Sequence, residues 1–158
     1  MRDADFNTLQ TAYNAYADLL YRVALSHLRS HEDAMDAVQD VFLKLHTTRK
    51  QFRDAEHERA WLLRVTVNRC HDLARRQSIR AYTPLDDVAH LAAETDERPA
   101  VLLEIDRLPI TLKSAVVLHY LEGFSVEETA SILKLSASAV KMRLSRARDI
   151  LRSALQGE

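Results

Sequence analysis

Two segments of the 158-residue chain concentrate cationic side chains, the residue type that binds phosphate. Residues 61–80 contain five arginines against one acid, Asp72, and residues 134–152 contain six lysines and arginines against one acid, Asp149. The formal net charge of the chain is only −1, so its acidic residues collect elsewhere. Either cluster alone could be a solvated helix face, but the two together predict two local surfaces for nucleic acid.

Other reactive residue types lack the spacing of a catalytic or metal site. His27 and His31 are four residues apart, but Ser30 between them is typical of a helix start, and no third ligand is near. Cys70 and His71 are adjacent, and adjacent helical residues do not face each other. The sequence has no glycine-rich phosphate loop. We therefore expect no enzymatic activity, no metal and no cofactor, with Cys70 as a buried thiol.

The composition favours a helical protein. Apolar residues make up 47% of the chain, which holds only two glycines and three prolines. No stretch reaches 18 apolar residues, so we expect no membrane insertion. A single cysteine forms no internal disulfide and is typical of the reducing cytoplasm. The predicted fold class is all-α, with two small helical domains joined by a short linker, the C-terminal domain being a helix-turn-helix.

Residues 1–80 are predicted to form the first domain, built from three helices. Apolar residues at a spacing of three and four predict a helix from Phe6 to about Arg29. Ser30 is expected to cap a second helix, with Asp33 as an acidic capping partner. A polar segment, Thr47 to Glu58, separates it from a third, basic helix. The residues expected to be buried on the second helix are Ala34, Ala37, Val38, Val41, Phe42 and Leu45.

Residues 81–99 are predicted to be a linker, because they contain two of the three prolines and an acidic run. We expect it to let the two domains move independently. The second domain is predicted to span residues 100–158. It opens on a helix with Pro109 in its first turn and Gly123 as a left-handed C-cap.

A short helix, a three-residue break and a longer basic helix follow Gly123, which is the pattern of a helix-turn-helix. Ser125 and Glu128 have capping-box spacing, and the short helix is expected to end near Leu133. The second helix of such a unit lies in the major groove, with its N-terminal residues on base edges. Residues on or near that leading face are Ser136, Ser138, Lys141, Met142 and Ser145. Phosphate contacts are expected mainly from Arg143, Arg146 and Arg148.

Motifs in both halves resemble the extracytoplasmic-function sigma factors of bacterial RNA polymerase, a group of the sigma-70 family. In the C-terminal half these are Leu108-Pro109, the run from Tyr120 to Ser125, the run from Glu128 to Leu133, and the run from Val140 to Arg148. In the N-terminal half they are Asp33-Ala34, the run from Asp36 to Phe42, the run from Arg59 to Val65, Asn68-Arg69, and the run from Asp72 to Arg76. The resemblance covers nearly the whole chain outside the linker.

The resemblance implies core RNA polymerase and promoter DNA as partners, and an anti-sigma factor is left open as a third. It assigns core polymerase binding to Asp36, Gln39, Asp40 and Phe42. It assigns contacts with −10 DNA to Arg64, Asn68, Arg69, Arg75 and Arg76, and capture of an unstacked −10 base to the polar Thr47 to Glu58 segment. It assigns contacts with −35 DNA to Ser136, Ser138, Lys141, Arg143, Ser145, Arg146 and Arg148.

Two positions depart from the family pattern, which has glycine where this chain has Lys134 and another glycine near Ala139. Lys134 is therefore expected to hold a left-handed conformation at a cost of roughly 1 kcal/mol, or the turn differs. Two alternatives stay open. One is a dimeric helix-turn-helix repressor, and the other is a sigma-like interaction module that does not bind DNA.

Overall fold

The computed structural model describes the backbone of residues 2–80 and 97–157, and the side chains of residues 8–77 and 97–157. Every regular element in these residues is helical, as predicted. The N-terminal unit contains α1 (Arg2–Leu28), α2 (His31–Thr48) and α3 (Ala55–Arg80). The C-terminal unit contains α4 (Ala100–Asp106), α5 (Ile110–Val116) continued by a π-helical turn (Val117–Leu121), α6 (Val126–Leu133) and α7 (Ala137–Gln156).

Helices α1, α2 and α3 pack around a shared apolar core. Leu20, Val23, Val41, Leu62 and Leu63 are its fully buried members. All six residues predicted to be buried on α2 are buried. The Oγ of Ser30 accepts a hydrogen bond from the Asp33 N–H at 3.2 Å, which confirms the cap. The Asp33 carboxylate, however, accepts from the Gln77 side chain of α3 at 2.7 Å, so it ties α2 to α3.

The helix-turn-helix is present with its predicted boundaries. Ser125 and Glu128 form the reciprocal capping box, and Gly123 has the expected positive φ of 80°. Lys134 adopts the left-handed conformation, with φ 55° and ψ 47°, and the Leu135 N–H donates to the Ala130 carbonyl at 2.9 Å. The backbone at Lys134 therefore has the left-handed conformation that glycine would adopt there. The Cβ of Lys134 makes this conformation energetically less favourable than it would be for glycine. Pro109 is the N-cap residue of α5, which begins at Ile110.

The two units pack against each other, a contact that was not predicted from the sequence. Phe124 and Ile132 lie in the same buried cluster as residues of α1, α2 and α3. The main contact is between α3 and α6, and α1 also touches α5 and the π-helical turn. The linker prediction falls largely on residues 81–96, outside the described part of the chain; the described residues 97–99 are not helical.

Candidate nucleic-acid and protein interfaces

The exposed side of α2 carries the acidic surface expected to meet a protein partner. Asp36 and Gln39 are exposed, and Asp40 is half-buried. The Nε of Arg69 in α3 lies 2.7 Å from the Asp40 carboxylate, although its N–H makes no hydrogen bond there, so the contact is ionic. The pair leaves 43% of the Asp40 side chain exposed, which is enough for a basic group of a partner to compete with Arg69.

The structure corrects the assignment of Phe42 to a docking surface. Its side chain is only 6% exposed and its ring lies 5.0 Å from that of Tyr13, between centroids, so Phe42 fixes α2 on α1. Two exposed apolar residues of α2 were missed by the sequence interpretation, Met35 at 36% and Leu43 at 61%. Leu43 could have been found, because it is an apolar residue beside, not within, the buried pattern of α2. Met35, Asp36, Gln39, Asp40 and Leu43 form the "α2 face".

A cleft of about 760 Å³ opens where the predicted base-capturing segment connects α2 to α3. Its lining is mixed, with Leu9, Leu45, Phe52 and Ala55 among polar and charged groups. The Phe52 ring lies 5.6 Å from that of Trp61, and the Nζ of Lys50 lies 5.7 Å from the Trp61 ring centroid. Trp61 is buried behind Phe52, so Phe52 and Lys50 are the groups on the cleft that suit an unstacked base, by stacking and by attraction of phosphate.

The five α3 residues predicted to meet −10 DNA do not share one face. At 100° per residue, Arg64, Asn68 and Arg75 lie along one side of the helix, and Arg69 and Arg76 lie about 100° away. Asn68 and Arg76 are exposed. Arg75 pairs with Asp72 at 2.8 Å. Arg64 donates from Nε to the Ile132 carbonyl at 3.0 Å and from Nη2 to the Ser131 carbonyl at 2.7 Å, at the end of α6.

The α7 residues predicted to read −35 DNA sort into an outer face and two exceptions. Ser138, Lys141, Met142 and Ser145 are exposed along one side of the helix, and we name them the "α7 face". Arg146 and Arg148 are exposed about 80° to either side of Ser138, positions suited to the two phosphate walls of a groove. The Nη1 of Arg148 donates to the Tyr120 hydroxyl at 2.9 Å, which orients it.

Ser136 and Arg143 are the exceptions. The Oγ of Ser136 accepts from the Ala139 N–H at 3.1 Å, so this hydroxyl caps α7. Arg143 is half-buried on the opposite side of α7 from Lys141, toward α3, where its charge helps to lower the pKa of His71. In this arrangement of the two units, Arg143 is therefore not positioned for its predicted phosphate contact.

A buried polar cluster at the junction of the two units was not predicted. The Nε2 atoms of His27 in α1 and His71 in α3 lie 2.8 and 2.7 Å from the Oγ of Ser114 in α5. Burial, with smaller effects of His71 and Lys113, lowers the pKa of His27 to about 4, and burial also lowers that of His71. The residues are far apart in sequence and only tertiary packing brings them together.

Two further reactive groups, Cys70 and His31, have separate surroundings. Cys70 is fully buried, and burial raises the pKa of its thiol to about 12. His31 hydrogen bonds to the Tyr21 hydroxyl at 2.6 Å, away from the His27 contact with Ser114. In residues 2–80 and 97–157, no three His, Cys, Asp or Glu side chains form a metal-binding group. No helix in the same residues is long and apolar enough to cross a membrane.

The fold and the two basic helices define an all-helical protein with a C-terminal helix-turn-helix. The Sigma-70 region 2 family model matches residues 12–79, and the Sigma-70 region 4 model matches residues 98–151. The chain belongs to the extracytoplasmic-function sigma factors of the sigma-70 family. It is thus an RNA polymerase sigma factor that acts with core polymerase on promoter DNA.

Individual relatives show the same similarity over most of the chain. The ECF RNA polymerase sigma factor SigM of Mycobacterium tuberculosis is 37% identical over 132 residues, 82% of this chain and 67% of that protein. The ECF RNA polymerase sigma-E factor of Haemophilus influenzae is 30% identical over 172 residues, 96% of this chain and 87% of that protein. The solved structure of CnrH in complex with the cytosolic domain of CnrY has a TM-score of 0.70 at 26% identity, covering 96% of this chain and 90% of that one.

Proposed function

We propose a division of labour within this sigma factor. The α2 face binds core RNA polymerase, α3 and the cleft between α2 and α3 receive the −10 element, and the α7 face reads the −35 element. The observation that carries the −35 assignment is the exposed row from Ser138 to Ser145 with Arg146 and Arg148 on its flanks. Short polar side chains and a lysine reach base edges there, and the arginines contact the phosphates of the DNA backbone.

The α2 face suits a protein partner better than it suits DNA. Its carboxylates, Asp36 and Asp40, repel phosphate, while the exposed Met35 and Leu43 offer apolar area next to them. An apolar centre with charged groups beside it is the usual composition of a specific protein interface. The protein does no chemistry of its own in this proposal, and it works in the cytoplasm, where core polymerase is found.

An anti-sigma factor is proposed as a further partner. CnrH, which was solved in complex with the cytosolic domain of CnrY, is similar to this chain over 96% of this chain's length. The repressor alternative has no supporting observation, because the region 2 match accounts for the N-terminal half that a repressor would use otherwise.

The polymerase contact is tested with the double variant Asp40→Arg/Gln39→Ala. Reversing one charge and removing one amide at the α2 face should weaken the complex with core polymerase by about tenfold or more. Helical content should be unchanged, since surface substitutions remove no core packing. Asp18→Arg, an exposed charge reversal on α1 and outside the α2 face, is the matched control and should bind as the wild type does. Wild-type co-purification by the double variant would contradict the assignment.

A further inference from the structure

The contact between the two units covers groups that the proposed function needs. Arg64 is engaged by the last carbonyls of α6, and Arg59 pairs with Glu128 at 3.0 Å while its guanidinium lies 5.1 Å from the Phe124 ring centroid. Arg22 pairs with Glu122 at 2.9 Å. Arg143 is turned toward α3 instead of toward solvent. This closed arrangement must open before Arg64 and Arg143 can reach DNA.

The hydrogen-bond partners at the junction suit a neutral His27 when the Ser114 hydroxyl donates to it. The Nδ1 of His27 lies 2.8 Å from the Val23 carbonyl, which only accepts, so Nδ1 carries the hydrogen. The Nε2 of a neutral His27 must then accept, and the Ser114 hydroxyl donates to it. The Ser114 oxygen is left to accept from His71, whose Nε2 therefore carries its hydrogen. In this arrangement the chain runs from His71 through Ser114 to a neutral His27.

A proton added to His27 could still be accommodated by hydrogen bonding. The Ser114 hydroxyl would turn to the Ile110 carbonyl, 3.1 Å away, and its oxygen would accept from both imidazoles. The obstacle is charge, because the partners of the two rings are a hydroxyl and a carbonyl, and neither offers a counter-charge.

The surroundings of the cluster are mostly cationic. Lys113, beside Ser114 in α5, is buried, and its Nζ lies 3.5 Å from the His27 carbonyl. The carboxylate of Asp106 in α4 already meets Arg29 at 3.1 Å and Arg98 at 2.7 Å. The titratable and charged groups that face the cluster from the elements around it are Arg29 of α1, Cys70 and Asp72 of α3, Arg98 before α4, Asp106 of α4, Lys113 of α5 and Arg143 of α7.

We propose that the His71–Ser114–His27 chain is a proton-sensitive latch, and that proton uptake by its imidazoles opens the two units. Closure favours neutral rings, because a charged ring there has no counter-charge, whereas solvent can hydrate a charged ring once the units separate. The inference rests on the proposed function only in naming the DNA-binding groups that opening uncovers. Acid would thus favour the form in which these groups are available.

The direction and size of the pH effect on the closed–open equilibrium follow from the difference in histidine pKa between the two forms. Histidine pKa values are lowered in the closed form, so the closed form keeps its full stability above the ordinary pKa of 6.5 and loses it as the pH falls below that value. For His27, a pKa of 6.5 in the open form and about 4 in the closed form shifts the equilibrium about tenfold toward opening from pH ~7.5 to pH ~5.5. His71 adds to this in the same direction.

Single-molecule energy transfer on the full chain, without polymerase or DNA, tests the latch. Dyes are attached at Glu32→Cys in the N-terminal unit and Arg152→Cys in the C-terminal unit, while the native Cys70 is fully buried and unreactive. The ratio of low-efficiency to high-efficiency molecules should rise about tenfold from pH ~7.5 to pH ~5.5. In His27→Gln, which keeps hydrogen-bonding groups but does not titrate, most of this rise should disappear.

Two further variants keep the test decisive. His71→Gln, at a half-buried position that tolerates substitution better, should also reduce the response, and it decides the matter if His27→Gln does not fold. His31→Gln removes an exposed histidine outside the junction and should respond as the wild type does. An acid response of wild type that is absent, or that both junction variants retain in full, overturns the proposal. Because no DNA or polymerase is present, the outcome is independent of the assigned promoter roles.

Discussion

Helices α3 and α7 carry similar basic sequences but present them in opposite ways. In α3, three of the five predicted DNA-binding residues are engaged by the protein itself: Arg64 by α6 carbonyls, Arg69 by Asp40 and Arg75 by Asp72. In α7, most of the predicted residues are exposed in a row with arginines on both sides. A cluster of arginines in sequence therefore predicts a basic helix, but the tertiary partners decide whether the charge is available to phosphate.

The difference has an electrostatic basis. Helix α3 is flanked by acids of α2 and by the carbonyl end of α6, and a helix C-terminus carries partial negative charge that attracts arginine. Helix α7 packs through Val140, Leu144 and Ala147, so its inner face is apolar and its outer face is left to solvent. The proposed −35 surface is thus exposed in the closed form, whereas in the proposed −10 surface Arg64 is engaged by α6.

The largest expected effect concerns DNA binding by the free protein. Because Arg64 is covered and the net charge is −1, the protein alone should bind duplex promoter DNA weakly. Core polymerase should raise the affinity by about 100-fold or more, since holding both units on one DNA adds effective concentration without new contacts. Fluorescence anisotropy with labelled promoter DNA, with and without core polymerase, measures this. Tight, sequence-specific duplex binding by the protein alone would support the repressor alternative instead.

A second prediction tests whether the two units unfold together in one cooperative transition. Ile132 is 2% exposed and joins the buried cluster that spans both units. Ile132→Ala should lower the free energy of unfolding by about 2–5 kcal/mol and leave a single transition in denaturant. Val101→Ala, at an exposed residue of α4, is the control and should have little effect. Two separate transitions, of which only one moves, would show that the units are independent after all.

Local elements of this fold could be predicted well, because their causes lie within a few residues. Ser30, the Ser125–Glu128 capping box and the left-handed Gly123 and Lys134 all occupy their predicted roles. The π-helical turn at Val117–Leu121 could not be predicted, since its sequence reads as an ordinary helix. It is set by the surroundings, where Val117 and Leu118 enter the common core.

The site residues also divide into those that could be predicted from local sequence and those that depend on tertiary packing. The α7 face follows from helical periodicity, so Ser138, Lys141 and Ser145 could be placed from sequence. Arg143 could not, because its direction depends on which side of α7 meets α3. The His27–Ser114–His71 contacts join residues up to 87 positions apart and carry no local pattern.

The smallest expected effect separates base reading from phosphate binding within α7. Lys141 lies on the α7 face, so Lys141→Ala should lose discrimination among −35 sequences by about 1–3 kcal/mol. Arg148 lies on the flank, oriented by Tyr120, so Arg148→Ala should weaken binding to all sequences about equally and lower the salt slope by about one. Both are compared by titrating holoenzyme onto matched and mismatched −35 DNA over a range of salt. Tyr120→Phe supplies the control for Arg148, since it removes only the hydroxyl that orients the guanidinium and should give a weaker version of the same change. Lys141→Ala and Arg148→Ala could instead show identical salt and sequence dependence. That result would mean that α7 contacts only the DNA backbone along its whole length and that discrimination among −35 sequences arises elsewhere.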